Sequence, residues 1–506
     1  MDYPSIWQAE KPPHPFAAGE TTAPPAGKAY EAAIVGAGLC GLLTAYRLLE
    51  KGMSRLAVID AGGLAQGVTA RTTAKITSQH GLIYDRLLQG LGREKAWQYA
   101  QANQAAVEEF ARLAALFPCD FERCGAVVYA AGGKDREAVE RELEASLRLG
   151  LPAAPVRGQP LPFPIAAGVR FADQARFHPL KFVYGLASCL QSRGVDFFLY
   201  SPVVPPKSGE EDNAIHTAAG AIRADNAVVA THFPFMDKPG FYFARIWQER
   251  SYVLAVEGAE PVLSDMYWGA GEEGISLRPA GNALLVGGGS HKSGHEGRQA
   301  HFDRLAAVSK AWYPSRVVTG QWSAQDCMTH DGIPYIGRYK QLDGKLAPRV
   351  FVATGFNKWG MSSSMAAAEI LSNAMTGAEN PWAEVFSPTR FDPGLKAKRF
   401  FVESTDMLVN YIGGYMELPA DTAASLKPGE GRVLTVDGER VGAFKDTDGT
   451  VYTVNPVCTH MGCILEWNQD ECSWDCPCHG SRYDVMGRIL NNPAPRPLGK
   501  GTAAGD

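Results

Sequence analysis

Three features are missing from this sequence of 506 residues, and each absence excludes a class of function. Lys and Arg form no long run and the formal net charge is −5, so we expect no nucleic-acid partner. No run of about 18 apolar residues occurs, so we expect no membrane-spanning helix. The N-terminus lacks both the basic-plus-apolar pattern of a secretion signal and a twin arginine, which predicts a cytoplasmic protein.

Cysteine is scarce over most of the chain. Of the ten cysteines, five lie between positions 458 and 478. The other five are scattered, and we interpret them as buried thiols. This clustering indicates a metal site and not the disulfide framework of a secreted protein. The length predicts two or three domains.

The cysteine-rich stretch reads CTHMGC, then twelve residues, then CPCHGSRY. It contains the pairs Cys458 with His460 and Cys476 with His479. Two thiolates on one iron and two imidazoles on the other form the ligand set of a Rieske [2Fe–2S] centre. The alternative is zinc, but a Cys-x-His step is shorter than the spacing of about two to four residues in a zinc knuckle. We therefore predict a Rieske cluster.

The same stretch resembles Rieske proteins of the respiratory type. The resemblance implies that Cys463 and Cys478 form a disulfide joining the two cluster loops. It also implies that Ser481 and Tyr483 donate hydrogen bonds to a bridging sulfide and to a ligand sulfur. Donors aimed at sulfur stabilise the reduced, more negative cluster, so they raise its reduction potential.

A second motif lies near the start of the chain, in EAAIVGAGLCGLLTAYRLLEKGMSRLAVIDAG. A short apolar strand leads into Gly36, Gly38 and Gly41, and helical apolar spacing follows. A second strand then ends at Asp60. This is the dinucleotide-binding fingerprint in its strand–turn–helix context, with pyrophosphate at the helix N-terminus and the acid on the ribose hydroxyls.

The segment that follows, GVTARTTAKITSQHGLIYDRL, resembles the glycine/D-amino-acid oxidase family of flavoproteins. Specifically, the chain resembles over nearly its full length the branch of that family with a C-terminal Rieske domain. The nucleotide is then FAD, and Thr69–Lys75 line the pyrophosphate and flavin. Within this loop Arg71, Thr72, Thr73 and Lys75 supply donors; the alternative is a solvated polar loop.

Further cofactor contacts come from the same resemblance. Val204 is expected beside the adenine. Ala230 and Thr231 match the family's Ala-Thr-Gly segment, with His232 in place of the glycine. A helix from Ser362 onward would point its N-terminus at the flavin N1/O2 locus. The residues expected in the loop before it are Gly355, Asn357, Trp359, Gly360 and Met361.

The rest of the chain predicts scaffolding. Residues 85–150 look helical, and residues 245–325 alternate as an antiparallel sheet on the substrate side. Gly269–Gly274 also match G-x-G-x-x-G, but two glutamates there would repel a pyrophosphate, so we interpret the segment as a turn. A two-Rossmann pyridine-nucleotide reductase would show two such sites, whereas this chain shows one.

The expected architecture has four parts. Residues 1–29 form an extended arm, which is either anchored by Trp7 or a disordered tail. Residues 30–395 form an α/β FAD-binding Rossmann-type domain interleaved with an antiparallel β substrate domain. Residues 396–415 are a linker, and residues 416–506 form an all-β Rieske domain.

These features predict an FAD-dependent oxidoreductase acting on the CH–NH group of an amine or amino acid. Electrons would pass from flavin to cluster and then to an external acceptor. We select Arg278 and His291 as substrate contacts and Lys358 as a charge partner of the flavin, although each also fits a structural or solvent-facing role. Two alternatives stay open: electrons entering through the cluster for reduction or hydroxylation, and a non-catalytic redox-responsive protein.

Overall fold

A computed structural model describes residues 3–16, 28–158, 161–204, 214–217, 220–236, 240–259, 263–271, 273–295, 300–339, 349–390, 425–436 and 438–501. The predicted linker at 396–415 lies outside these residues.

Helices and strands are interspersed up to residue 386, and the described regular elements after it are strands. The helices are α1 Ile6–Ala9, α2 Leu39–Glu50, α3 Tyr84–Ala114, α4 Arg136–Arg148, α5 Pro179–Ser192, α6 His301–Trp312, α7 Gly360–Thr376 and α8 Ala383–Phe386. The strands are β1 Ala29–Val35, β2 Leu56–Ile59, β3 Lys75–Ile76, β4 Glu122–Ala130, β5 Ala153–Pro155, β6 Ala167–Arg176, β7 Asp196–Phe198, β8 Ala214–Thr217, β9 Gly220–Val229, β10 Ile246–Glu257, β11 Met266–Gly269, β12 Ser276–Ala280, β13 Ala283–Lys292, β14 Val317–Thr329, β15 Tyr335–Arg338, β16 Arg349–Thr354, β17 Gly431–Val436, β18 Glu439–Lys445, β19 Val451–Val454, β20 Glu466–Asn468, β21 Ser473–Asp475, β22 Arg482–Tyr483 and β23 Ile489–Asn491.

The first sheet has strand order β15–β16–β9–β1–β2–β7, and β8 pairs with β9. Strands β16, β9, β1, β2 and β7 run parallel to one another. Strand β2 is an unbroken buried apolar run, as expected for a parallel strand covered on both faces. Helix α2 packs on this sheet and against α5 and α7. This arrangement places the start of α2 at the carboxyl edge of β1, where nucleotides bind.

The second sheet has strand order β14–β10–β13–β12–β11–β4–β6–β3, with β5 beside β6. At one side of it lie the long antiparallel strands β14, β10 and β13, with β14 at the edge. Successive side chains of a strand point to opposite faces. Strand β10 therefore directs Glu249 and Ser251 to one face, and Gln248 and Arg250 to the other.

The C-terminal region contains two small antiparallel sheets, β17–β18–β19 and β20–β21–β22–β23. Leu465, Trp474 and Tyr483 are fully buried in its core. Gly438 and Gly449 have φ values of 81° and 91° at the predicted turns, a region of backbone space that favours glycine. The predicted all-β domain is confirmed.

Two predictions of local structure are wrong. Residues 85–150 are not helical throughout, because β4 lies between α3 and α4 and pairs with β6 and β11 in the second sheet. The N-terminal arm is not wholly extended, because Ser5 and Gln8 form a capping box that starts α1. Trp7 on that helix is 3% exposed, so the arm is anchored and Trp7 is its anchor.

The second glycine motif does form a turn. Strand β11 ends at Gly269, and the backbone N–H of Gly269 donates to the carbonyl of Ile275, just before β12. Among the described residues, none of the helices is both long and apolar enough to cross a membrane.

Candidate functional site

The glycine-rich turn between β1 and α2 requires its glycines for steric reasons. Gly36 has φ 117°, and a Cβ added there would lie 2.3 Å from the carbonyl oxygen of Ala230. A Cβ at Gly41 would lie 1.9 Å from the carbonyl oxygen of Gly36. Gly38 precedes α2 and provides no side-chain cap, so the helix begins with backbone N–H groups suited to a phosphate.

Asp60 lies at the end of β2 next to this turn. Its two carboxylate oxygens accept hydrogen bonds from the backbone N–H groups of Ala37 (2.7 Å) and Gly62 (2.8 Å). A carboxylate has about four acceptor positions, so capacity for ribose hydroxyls is left. Burial raises the pKa of Asp60, although these two bonds act in the opposite direction. Val204, the predicted adenine neighbour, is partly exposed and bonded to the His216 carbonyl oxygen (2.8 Å).

The loop from Thr69 to Lys75 spreads its donors over several partners. The hydroxyl oxygen of Thr69 accepts from the Leu39 N–H at the start of α2 (3.1 Å). Arg71 donates to the Tyr3 carbonyl oxygen (3.2 Å), and Thr73 is half-buried. Thr72 binds locally, its hydroxyl oxygen accepting from the Ala74 N–H (2.9 Å).

Lys75 is directed to the second sheet and not to the glycine turn. Its ammonium group donates to the carbonyl oxygen of Tyr267 (2.7 Å) and the hydroxyl of Ser276 (2.6 Å). Burial, together with the charge of Arg278, lowers the pKa of Lys75 to about 7. This residue therefore lies on the substrate side of the loop.

The loop before α7 is fixed by its own contacts. Gly355 has φ 71°, and a Cβ there would lie 2.3 Å from Thr329 Cγ2. The side chain of Asn357 accepts from the Thr329 N–H (2.7 Å) and donates to the Gly355 carbonyl oxygen (2.5 Å). Trp359 is the N-cap position and offers no side-chain cap, so α7 begins at Gly360 and Met361 with uncapped N–H groups.

His80 was missed by the sequence reasoning, because nothing around it forms a motif. Its ring stacks on Trp359 with centroids 4.9 Å apart. Its Nε2 lies 2.8 Å from the Thr77 carbonyl oxygen and 2.9 Å from the Ser362 hydroxyl. Burial lowers the pKa of His80 to about 3, so the ring is neutral at physiological pH.

Lys358, the residue before Trp359 in the loop that precedes α7, belongs to a polar cluster on the face of β10 that carries Glu249. Lys358 pairs with Glu249 (2.9 Å) and donates to the hydroxyls of Ser290 (2.7 Å) and Ser251 (3.2 Å). Asp326 lies opposite Glu249 in the sheet register. Burial raises the pKa of Asp326 to about 6, with Lys358 acting in the opposite direction.

The two predicted substrate contacts, Arg278 and His291, lie elsewhere. Arg278 is 2% exposed, donates to the Phe177 carbonyl oxygen (2.7 Å) and lies 4.9 Å from the Trp7 ring. His291 lines a separate cavity of about 180 Å³ and stacks on His301 with centroids 4.4 Å apart. The structure does not bring these two residues together with Lys358 at one point.

The predicted iron ligands lie on two loops tied by the Cys463–Cys478 disulfide, whose S–S distance is 2.03 Å. The disulfide prediction is confirmed. Cys476 Sγ lies within 4.8 Å of both disulfide sulfurs, but these are oxidised and not thiolate ligands. The free thiols on the two loops are Cys458 and Cys476.

Unpartnered polar atoms show that these loops fit a cluster. Both ring nitrogens of His479 are buried and have no hydrogen-bond partner among the described residues, and the buried hydroxyl of Ser481 lies beside the Cys458 side chain. Such atoms cost free energy unless something binds them. The hydroxyl of Tyr483 lies 3.5 Å from Cys458 Sγ, as expected for a donor to a ligand sulfur.

Comparison with known proteins agrees with both sites. The family described as "FAD dependent oxidoreductase" matches residues 31–374, and the "Rieske [2Fe-2S] domain" matches residues 417–501. The chain belongs to the FAD dependent oxidoreductase family. FAD and a [2Fe–2S] cluster are its cofactors, as predicted.

One relative matches this flavoprotein over nearly its full length, and two solved structures match the fold of part of it. YhfW of Bacillus subtilis (strain 168), named for a Rieske 2Fe-2S iron-sulfur centre, is 34% identical over 92% of each chain. Glycine oxidase from Geobacillus kaustophilus is 18% identical, with a TM-score of 0.59 over 72% of this chain and 99% of its own. L-Proline dehydrogenase from P. horikoshii has the same TM-score at 17% identity, covering 72% of this chain and 99% of its own. The last two show the fold of the flavoprotein region.

The Rieske domain sits on the face of β10 and β14 that carries Gln248. The amide nitrogen of Gln248 donates to the carbonyl oxygens of His479 and Asn492, both at 2.8 Å. The amide nitrogen of Gln325 donates to the carbonyl oxygen of Gly480 (2.7 Å). The Phe243 ring centroid lies 5.7 Å from that of His479, so the imidazole side of the cluster loops faces the flavoprotein domain.

A buried ion pair joins the same two domains. Arg250 of β10 is 3% exposed and pairs with Glu471 of the Rieske domain. Arg482 lies 3.2 Å from the same carboxylate. Burial alone would raise the pKa of Glu471, but the two guanidinium groups outweigh it and lower the value to about 2.

Proposed function

We propose that this flavoprotein oxidises the C–H bond beside nitrogen in an amine or amino acid and delivers the electrons to an external one-electron acceptor. The substrate loses two electrons and two protons and becomes an imine, so two acceptor molecules are reduced per turnover. Bound FAD supplies the hydride acceptor and the [2Fe–2S] cluster a one-electron relay. One observation carries the proposal: strand β10 contacts the loop before α7 on one face and a cluster loop on the other.

The chain's residues divide between the two cofactors in this proposal. Cys458 and Cys476 hold one iron, and His460 and His479 hold the other. The FAD contacts are the glycine turn, Asp60, Arg71, Thr72, Thr73, Lys75, Val204, Ala230, Thr231, Gly355, Asn357, Trp359, Gly360 and Met361.

The substrate would bind between the α7 loop and the second sheet. Trp268 and Trp359, with ring centroids 6.2 Å apart, line a narrow pocket together with Lys75 and Gln79. A lysine ammonium suits the carboxylate of an amino acid, and indole rings suit its apolar part. Substrates that arrive as neutral amines require no general base. The names of glycine oxidase and L-proline dehydrogenase support this substrate class by analogy of fold.

An anaerobic spectroscopic screen tests the proposal. We expect one of a panel of glycine, sarcosine, L-proline and other amino acids to bleach the flavin absorbance, followed by the Rieske signal in electron paramagnetic resonance (EPR). If every amine leaves the flavin oxidised while a reduced electron-transfer protein reduces the cluster and then the flavin, electrons flow in the opposite direction. If neither treatment reduces either cofactor, the protein is not a catalyst of this kind.

A further inference from the structure

Two buried amides of the flavoprotein domain are engaged by the cluster loop. Gln248 and Gln325 are 2% and 1% exposed, and they lie on one face of the second sheet. Gln325 donates both to Gly480 and to the side-chain oxygen of Gln248 (2.6 Å), so the two amides form one hydrogen-bonded unit. A buried amide without a partner costs free energy. Separating the Rieske domain from the sheet would break the bonds from these amides to His479, Asn492 and Gly480.

The backbones of the two domains also approach very closely here. A Cβ added to Gly294 would lie 2.4 Å from the backbone nitrogen of Pro477. A Cβ added to Gly480 would lie 2.7 Å from Gln248 Cβ. Contacts this short mean that neither glycine can be enlarged unless the cluster loop shifts.

His232 lies on the nucleotide side of the same unit. Its imidazole lies beside the backbone of Gln325, and its carbonyl oxygen accepts from the Thr354 hydroxyl (2.5 Å). It follows Ala230 by two residues, and Ala230 is the residue packed against Gly36 in the nucleotide turn. His232 thus lies between the FAD-binding turn and the cluster loop.

We infer that Gln248 and Gln325 are positioning residues for electron transfer between the cofactors. They hold the backbone of the ligand His479 in one place on the flavoprotein domain, and His232 and Gln325 pack between the nucleotide turn and the cluster loop. Each passage moves one electron from reduced flavin to oxidised cluster. The inference rests on the proposed function, in which the cluster accepts electrons from the flavin.

Methionine replacement of the two glutamines tests this inference, because methionine keeps the length of the side chain and removes the donor. We expect Gln248→Met/Gln325→Met, with verified FAD and iron content, to have a lower cluster midpoint potential and shifted EPR g-values. After flash photoreduction of the flavin by a deazaflavin sensitiser with oxalate as the electron donor, which needs no amine, cluster reduction should slow about tenfold, equivalent to about 1.4 kcal/mol of activation free energy. Wild-type potential, g-values and transfer rate together would overturn the inference.

Two further variants make the result specific. Gln469 donates to the Gly429 carbonyl oxygen (2.7 Å) within the Rieske domain, so Gln469→Met is the matched control and should leave all three readouts unchanged.

Gly294→Ala displaces the loop at Pro477 and removes no donor, so it should slow transfer while leaving the potential near its original value. If the double methionine variant loses its cluster, a wild-type transfer rate in Gly294→Ala overturns the inference. If no amine reduces the flavin but photoreduced flavin still reduces the cluster, the proposed substrate fails and the positioning role stands.

Discussion

Two hydroxyl groups face the cluster site from the residues that follow His479. The Tyr483 hydroxyl lies 3.5 Å from Cys458 Sγ and is held by the Thr459 N–H (3.1 Å). The Ser481 hydroxyl is fully buried and lies beside the Cys458 side chain. Both are therefore placed to donate to sulfur.

Removing either donor should lower the cluster midpoint potential, because the reduced cluster carries more negative charge and loses more stabilisation. We expect Ser481→Ala and Tyr483→Phe each to shift an EPR-monitored redox titration to lower potential while the Rieske spectrum is retained. Tyr452→Phe, a tyrosine change on β19 in the same domain, serves as control. An unchanged or raised potential in both cluster variants would contradict the assigned donor roles.

Single residues differ in how far sequence alone reveals them. The glycine turn and the cysteine–histidine pairs could be predicted because their chemistry depends on spacing within a few residues. Gln248 could not, because its partner carbonyl lies 231 positions away and no local pattern marks it. The role of His80 could not be predicted for the same reason, since it comes from Trp359 and Ser362 at the start of the distant helix α7.

Among the elements, α1 is small but covers the Thr69–Lys75 loop, which we propose binds FAD. Its cap residue Ser5 donates to the Ala70 carbonyl oxygen (2.5 Å), and Trp7 donates to that of Thr72 (2.7 Å). The Trp7 ring also packs on His178, with centroids 5.0 Å apart. The Pro- and Gly-rich arm shows no helical pattern in the sequence. Tertiary packing and the capping box therefore determine the structure of α1.

Truncating Trp7 should therefore weaken both the fold and FAD retention. Replacing a buried tryptophan by alanine costs about 3–5 kcal/mol in similar sites, so Trp7→Ala should lower the free energy of unfolding and the temperature of flavin release. Trp7→Phe keeps most of the packing and should lose only the bond to Thr72, about 1 kcal/mol. Denaturant titration and thermal flavin fluorescence measure these effects. Wild-type values for Trp7→Ala would show that α1 does not support the loop.

At the scale of the whole molecule, the buried group of Arg250, Glu471 and Arg482 holds the two domains together. A carboxylate whose pKa is lowered by folding stabilises the folded protein at pH values above its pKa in the unfolded chain, near 4.3 for Glu. For Glu471 this stabilisation disappears as the pH falls through its folded-state pKa of about 2. The contribution of Glu471 to the docking of the domains should therefore not change between neutral pH and about pH 4.

Removing one partner of this group should be costly. Arg250→Met leaves Glu471 with the guanidinium of Arg482 and the hydroxyl of Ser323, and breaking a buried pair typically costs about 3–5 kcal/mol. We also expect its pKa to rise, so acid destabilisation should begin at higher pH than in the wild type. Denaturant unfolding between pH 7 and pH 3 measures both effects. Arg250→Met/Glu471→Gln should recover part of the loss, and a double variant as unstable as the single one would contradict the ion-pair explanation.

Substitution of a cluster ligand should abolish electron transfer to the external acceptor and leave reduction of the flavin by substrate intact. His479→Ala or His460→Ala removes an imidazole ligand and should abolish the Rieske EPR signal. The nucleotide site lies on other elements, so the variant should bind FAD and be bleached by its substrate at a near-normal rate, while anaerobic turnover with a one-electron acceptor falls sharply. Full turnover without the cluster would refute its role as the electron exit.

The close approach at Gly294 and Gly480 also has an evolutionary consequence. The two domains resemble modules that a gene fusion could combine in any pairing. However, the backbone of the Rieske cluster loop fits closely against Gln248 and Gln325 of the flavoprotein domain. A Rieske domain transplanted from another protein would meet Gln248 and Gln325 without carbonyls in matching positions. Lineages that retain this pair of domains are thus expected to exchange them together, as one inherited redox unit.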